Sequence, residues 1–263
     1  MSVAKIVRWW YSNEFKYKNP LLKIVITPNE IEDASSGYGF GYNAGFGNIE
    51  NLELVASNDY RPSSGTNLKK YILQSTASPT TIPARCFQGC SNIRSVNIHP
   101  AVELIDHEAF ADCDSLEIVH FPVNSSLKTI SYNAFANSSY NSTHVPSISY
   151  LNLEDCHSLQ SIGDYAFSAY AGGYSSIGND IVTSLSFPAS LQLIGYCAFK
   201  NWRALTSVVF ASGSSMIIGH EAFNVHNGYG TSSLTSVTLP SGCQYYSDSF
   251  PSGCTVTGGT LIS

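Results

Sequence analysis

Histidines, carboxylates and thiols are the side chains that could carry catalysis or hold a metal, and in this chain they do not converge. His107 and His220 each stand two residues before an Ala-Phe pair, while His99 and His120 lie close together in the register of an internal repeat. General acid–base work needs such groups within hydrogen-bond reach of one reacting atom, and histidines scattered in this way read as surface or turn residues. Asp106, Glu108, Asp112 and Asp114 crowd one stretch, yet the D-x-D-x-D-G spacing of a calcium loop is missing. The seven cysteines include no Cys-x-x-Cys pair, so the usual zinc spacing is missing as well. No glycine-rich stretch follows a strand and opens a helix to cradle a phosphate. The expectation is a chain with no catalytic residue, no metal and no cofactor.

Seven thiols cannot all pair within one chain. Cys90 and Cys113 each follow a phenylalanine by three residues and are expected as buried thiols, since free cysteine packs as a small hydrophobe. Cys243 and Cys254 flank Phe250 and could close the C-terminal end as a disulfide in an oxidising compartment.

Contact chemistry is better supplied. Tyr140, Tyr170, Tyr174 and Tyr229 are set among Gly, Ser and Asn in the stretches 137–146, 168–180 and 224–233. Tyrosine offers a large amphipathic surface at low entropic cost and small polar neighbours let a loop adapt, so these four are candidate ligand-binding residues. The bland alternative is that such stretches are tolerated surface insertions. At the N-terminus Trp9, Trp10 and Tyr11 stand between Lys5, Arg8, Lys16 and Lys18, with Glu14 opposing them, and are candidate docking residues for an assembly partner reached through residues 1–20. The alternative for residues 1–23 is a cap over the first open repeat.

The elements that must position these residues form a repeat. Its anchors are Phe87, Phe110, Phe135, Phe167, Phe199, Phe223 and Phe250. Alanine precedes five of them, with Cys86 and Ser249 in that slot at the two ends. Five residues before the anchors stand Ile82, Ile105, Ile130, Ile162, Ile194, Ile218 and Tyr245. After each anchor an apolar-x-x-apolar-x-apolar triplet follows, as in Leu116/Val119/Phe121 and Val182/Leu185/Phe187. Its last two residues share one face of a short strand, so Asn97, His120, Asn152, Ser186, Val209 and Thr238 are expected to face solvent as a competing binding ladder. The anchor-to-triplet distance is six residues for Phe87 to Ile93, Phe110 to Leu116 and Phe199 to Leu205, but 13, 15 and 11 after Phe135, Phe167 and Phe223. All three insertions therefore enter at one point of the coil and emerge on one side.

The triplet resembles the L-x-x-L-x-L core of leucine-rich repeats. The composite of Ile162-Gly-Asp-Tyr-Ala-Phe167 or Ile194-Gly-Tyr-Cys-Ala-Phe199 with a following L-x-x-V-x-F-P resembles the BspA-like subclass. The resemblance covers residues 82–250 closely and 21–81 loosely. It implies a β-rich solenoid of short parallel strands, turns or short helical turns, and Tyr/Gly/Ser-rich loop insertions. Residues 1–23 would be the cap or arm, 24–240 the solenoid (degenerate repeats at 24–81, regular ones at 82–240) and 241–263 a C-terminal cap. It also implies a surface adhesin that recognises a protein or glycan on a cell or matrix.

Composition bounds the rest. A net charge of −6 argues against a nucleic-acid partner, which needs a basic face. No apolar run approaches a transmembrane segment, and none reaches the seven residues of a secretory leader in the chain as given. A structural or receptor-binding subunit of a virion or surface appendage, held by the aromatic N-terminus, is the alternative function. Either way an exposed location, on a cell surface, outside the cell or on a virion, is favoured over the cytosol. The sequons at Asn124, Asn137 and Asn141 matter only in a eukaryotic secretory pathway.

Overall fold

The computed structural model describes residues 23–25, 51–53 and 70–72 as backbone strands, and 81–82, 84–85, 87–88, 94–137, 148–169, 178–226 and 230–263 with their side chains. The chain winds into a parallel β-solenoid whose regular coils each contribute two short strands, one to each side. One ladder holds β1 (Lys23–Val25), β2 (Asn51–Glu53), β3 (Lys70–Ile72), β5 (Ser95–Asn97), β7 (Ile118–His120) and β9 (Tyr150–Leu151); β11 (Ser184–Phe187) and β13 (Ser207–Phe210) form a separate parallel pair from the same part of the repeat. The other ladder runs β4 (Thr81–Ile82), β6 (Leu104–Ile105), β8 (Thr129–Ile130), β10 (Ser161–Ile162), β12 (Leu193–Ile194), β14 (Ile217–Ile218), β15 (Ser236–Tyr245) and β16 (Thr255–Leu261). Among the described residues the one helical element is a 3-10 turn at Leu153–Asp155.

The second ladder is absent from a reading of the triplets alone. Its strands from β4 to β14 are two residues long, an outward residue followed by the buried isoleucine five before the anchor, as in Thr129–Ile130 and Ser161–Ile162. Two residues are too few to display an alternation, so the pattern is visible only as a fixed spacing. Strand order also departs from simple stacking at one end: β3 pairs with β1 on the side away from β2, and β2 pairs directly with β5.

The anchors form a single column. Successive rings from Phe87 to Phe250 lie 5.0–5.4 Å apart with interplanar angles of 14° or less. That distance is close to the roughly 4.8 Å between hydrogen-bonded strands, so backbone pairing sets the pitch and the rings stack offset within it. The 32-residue step from Phe135 to Phe167 keeps the same ring spacing as the 23-residue step from Phe87 to Phe110, so the added residues leave the column's pitch unchanged. Trp202, buried, sets its indole edgewise to Phe199 and donates its Nε1 hydrogen to the Phe167 carbonyl at 2.7 Å.

The turn leading into each anchor is equally regular. The residue two before the anchor takes a left-handed backbone at Arg85, Glu108, Asn133, Tyr165, Cys197 and Glu221, with φ of 54–57°. Such a conformation costs about 1 kcal/mol or more outside glycine. The pairing that offsets it runs through every coil: the Phe110, Phe135 and Phe167 amides donate to the Ala134, Ala166 and Ala198 carbonyls of the next turn at 2.7–2.8 Å. These alanines are fully buried between coils, which is why the slot before the anchor is small.

One ladder position departs from expectation. Asn152 is buried at 3% exposure and does not face solvent. Strand β9 stops after Leu151, and the Asn152 side chain takes over the ladder: its Oδ1 accepts the Phe121 amide at 2.9 Å and its Nδ2 donates to the Phe121 carbonyl at 2.7 Å. A primary amide carries the same donor and acceptor as a peptide group, so it closes the ladder where the backbone turns away.

Phe167 sits mid-column and is 2% exposed. Its replacement by alanine is expected to cost about 3–5 kcal/mol and to lower the unfolding cooperativity of the neighbouring coils. A denaturant titration of wild type and variant measures both, and an unchanged midpoint would contradict the column's role.

Candidate functional site

Tyr140, Tyr170, Tyr174 and Tyr229 lie outside the described residues, as do Trp9, Trp10 and Tyr11. The platform that carries the tyrosine loops is described. The described residues that flank the insertions run up to Asn137, Ala169 and His226 and resume at Ile148, Gly178 and Gly230. The departing stems are stitched across coils: the Asn137 amide donates to the Ser168 carbonyl at 3.1 Å, Ala169 to Lys200 at 3.0 Å and Asn201 to Asn224 at 3.0 Å. Asn179, fully buried, ties the returns together. Its amide donates to the Asn201 carbonyl at 2.9 Å and its Nδ2 to the Ile148 carbonyl at 2.8 Å, while its Oδ1 accepts the Val182 amide at 3.0 Å. Asn201, buried and left-handed with φ 64°, accepts the His226 amide on its Oδ1 at 2.8 Å.

Arg203 clasps two returning stems. Its Nε donates to Asp180 Oδ1 at 2.7 Å, its other guanidinium nitrogen meets Asp180 Oδ2, and its carbonyl accepts the Ser233 amide at 2.9 Å. A Cβ at Gly178 would come within 2.5 Å of Arg203 Nε, and one at Gly230 within 3.1 Å of its Cδ. Both stems therefore need glycine for the guanidinium to lie between them. A shallow cavity of about 360 Å³ remains at the surface, lined by Asp180, Arg203, Ala204, Gly230, Thr231 and Ser233. The sequence signals only the common entry point of the insertions; Asn179, Asn201 and Arg203 are single polar residues whose partners lie some 23–31 positions away.

The competing ladder is mixed in character. Asn97 and Thr238 are exposed, His120 and Ser186 half-buried, and Val209 is 50% exposed. The outward positions before the buried central residue add Ile118 and Tyr150, both exposed, and the Tyr150 ring stacks on His120 at 6.4 Å. The face is thus more apolar than its central row suggests.

No group of three His, Cys, Asp or Glu side chains fit to hold a metal occurs among the described residues. His99 is pulled below its usual pKa by burial and its Nδ1 accepts the Ala101 amide. His107 faces Asp106 at 3.1 Å and His220 faces Asp248 at 2.8 Å. The acidic stretch disperses: Glu108 meets Arg85, and Asp114 accepts the Asn137 side-chain amide at 3.2 Å. That bond and its burial also hold the Asn137 sequon nitrogen away from solvent. Cys113 is buried and donates to the Phe87 carbonyl; Cys90 lies outside the described residues. Cys243 and Cys254 do not form the disulfide their flanking positions suggest. Both are free thiols, and Cys243 points inward to donate to the Ser214 carbonyl at 3.7 Å. Among the described residues no helix is long and apolar enough to cross a membrane.

The sequence profile of the BspA type leucine rich repeat region matches the chain in six copies, over residues 11–143, 80–177 and 171–257. No curated protein matches it. Among solved structures, a leucine-rich repeat protein from Bacteroides ovatus is 21% identical, with a TM-score of 0.47 over 77% of this chain. The chain spans 43% of that protein's length. A leucine rich cell surface protein from Faecalibacterium prausnitzii is 16% identical with a TM-score of 0.25, the match covering 82% of this chain and 74% of that one.

Removing the Arg203 clasp should loosen the stems while leaving the column standing. For Arg203→Ala we expect a global stability loss of about 1 kcal/mol or less, with faster hydrogen exchange confined to the amides of 178–182 and 230–233. Exchange unchanged there would show that Arg203 does not hold them. The thiols give a second check. Burial pushes Cys156 up to about 12 and Cys197 up to about 11, so the reactive thiolate is scarce in the native state. Iodoacetamide at about pH 8 should spare both until the protein is unfolded, and among the described thiols should label the half-exposed Cys254 first. Because both folded values lie above the ordinary 9.0, the stability these thiols contribute is present below that pH and is lost as pH rises towards 11–12.

Proposed function

The chain belongs to the BspA-type leucine-rich repeat family, and on that premise we propose that it is a non-enzymatic binding module, displayed on a cell surface or outside the cell. Its ligand is a protein or glycan on a cell or matrix surface, taken by the loops that hold Tyr140, Tyr170, Tyr174 and Tyr229. The observation that carries this reading is the convergence of the three insertion stems on one corner, where Asn179, Asn201 and Arg203 hold them in fixed register. A rigid base lowers the ordering cost of binding, and tyrosine-rich loops with Gly, Ser and Asn supply contact area on it. The dispersal of the histidines and carboxylates favours a scaffold role over catalysis, since among the described residues no acid, base and nucleophile share a cleft.

The test uses immobilised matrix proteins and cell-surface glycans. Against at least one of these, Tyr170→Ala with Tyr174→Ala should weaken affinity by more than about 1 kcal/mol and leave the melting curve unchanged. Ile118→Arg on the strand ladder should leave affinity intact. The reverse outcome, with binding lost on the ladder and kept without the tyrosines, assigns the site to the other face.

A further inference from the structure

We propose that the turn before the anchors carries a second binding surface, a strip of tyrosines that takes an extended neutral glycan chain. Tyr132 and Tyr196 stand three residues before their anchors and Tyr165 two before its own. The three coils bring the rings into one row, with centroids 6.1 Å apart for Tyr132–Tyr165 and 5.1 Å for Tyr165–Tyr196, both edge to face. Tyr132 is 47% exposed and Tyr196 39%, with Tyr165 half-buried between them. In the next coil the same corner carries His220, stacked on Tyr246 at 3.8 Å. The row is held before any ligand arrives: the Tyr196 ring packs edge to face on Tyr165, and its amide donates to Asp164 Oδ1 at 2.8 Å.

Two features select the ligand. The first is charge. Arg85 is paired with Glu108, Lys200 with Glu221 and His220 with Asp248. A sulfated or phosphorylated polymer would have to break these pairs, whereas a neutral chain would not. The second is shape. The strip is one ring wide on a turn and follows the solenoid axis at the roughly 4.8 Å pitch of the ladder, close to the advance per residue of an extended β-linked hexose polymer. Sugar C–H faces pack on aromatic rings, and the exposed Asp164 offers carboxylate oxygen to sugar hydroxyls. A protein partner would need about 800 Å² from each side, more than such a row provides.

Native electrophoresis through gels containing a neutral polysaccharide (β-glucan, xylan, mannan or galactan, one per gel) tests the assignment, with a sulfated glycan gel as the contrast. At least one neutral gel should retard the protein. Tyr132→Ala with Tyr196→Ala should weaken that retardation by roughly tenfold, while Tyr132→Phe, which keeps the ring, and the Tyr170→Ala, Tyr174→Ala pair should retain it. If the double variant melts early, Tyr132→Ala alone serves, since that ring is exposed. The proposal is overturned if no neutral gel retards the protein, if retardation survives loss of the strip, if it is lost only with the loop tyrosines, or if the sulfated gel retards most strongly.

Discussion

Parallel backbone pairing sets the distance between coils, and every other feature answers to that distance. Once each turn must rise by one strand spacing, a residue at a given coil position meets its own counterparts above and below. A phenylalanine there becomes a column of rings 5.0–5.4 Å apart. The slot before it holds a small residue, because the neighbouring coil's backbone lies against it. Gly195 shows how tight the approach becomes: a Cβ there would stand 2.6 Å from the Asp164 nitrogen and the Gly163 carbonyl carbon. The repeat is thus the consequence of one pitch applied to successive coils.

The same constraint explains where variation is allowed. Residues added inside a strand or turn would break the stack, but residues added after the anchor leave it untouched. The cost of a longer loop grows only slowly with its length, so insertions accumulate at that one point. What they require is a stem that re-enters in register. Buried amides supply it: Asn179 and Asn201 bond backbone groups of neighbouring coils, and Asn152 does so on the strand side. Each is nearly fully buried, and Asn179 and Asn152 have both side-chain polar atoms bonded, the condition under which a buried amide stabilises a fold. The left-handed turn residues belong to the same economy, their backbone cost offset by the inter-coil bonds they permit.

Exposed contact chemistry is then distributed by position in the coil. The inward faces are spent on the core. The strand face offers Ile118, Tyr150 and Val209 among small polar residues, the turn before the anchor offers aromatic rings at coil pitch, and the turn after it offers loops on braced stems. A solenoid presents such surfaces as long rows, which suits extended ligands better than a single deep pocket would. The one larger cavity described, about 510 Å³ between the 210–215 and 238–242 segments, is lined by serines, glycines and Thr238 together with Phe210, Leu239 and Pro240, with no titratable group.

Sequence alone determined the solenoid, the anchor column, the inward triplets and the common point of insertion, because each repeats at a spacing that the pitch enforces. Phe87 to Phe250, and the buried Val119/Phe121 and Leu185/Phe187 pairs, stand where the spacing puts them. Tertiary structure decided whatever depends on a single residue meeting a distant partner. Asn152 turned inward because β9 ends one residue early, β3 took its place outside β1, and Cys243 found a carbonyl instead of Cys254. The row Tyr132, Tyr165 and Tyr196 came together across coils from two different turn positions, so no single column of the repeat displays it. A periodic contact is written in many copies and survives noise in any one of them. A contact made once, between residues tens of positions apart, has no second copy to reveal it until the chain is wound.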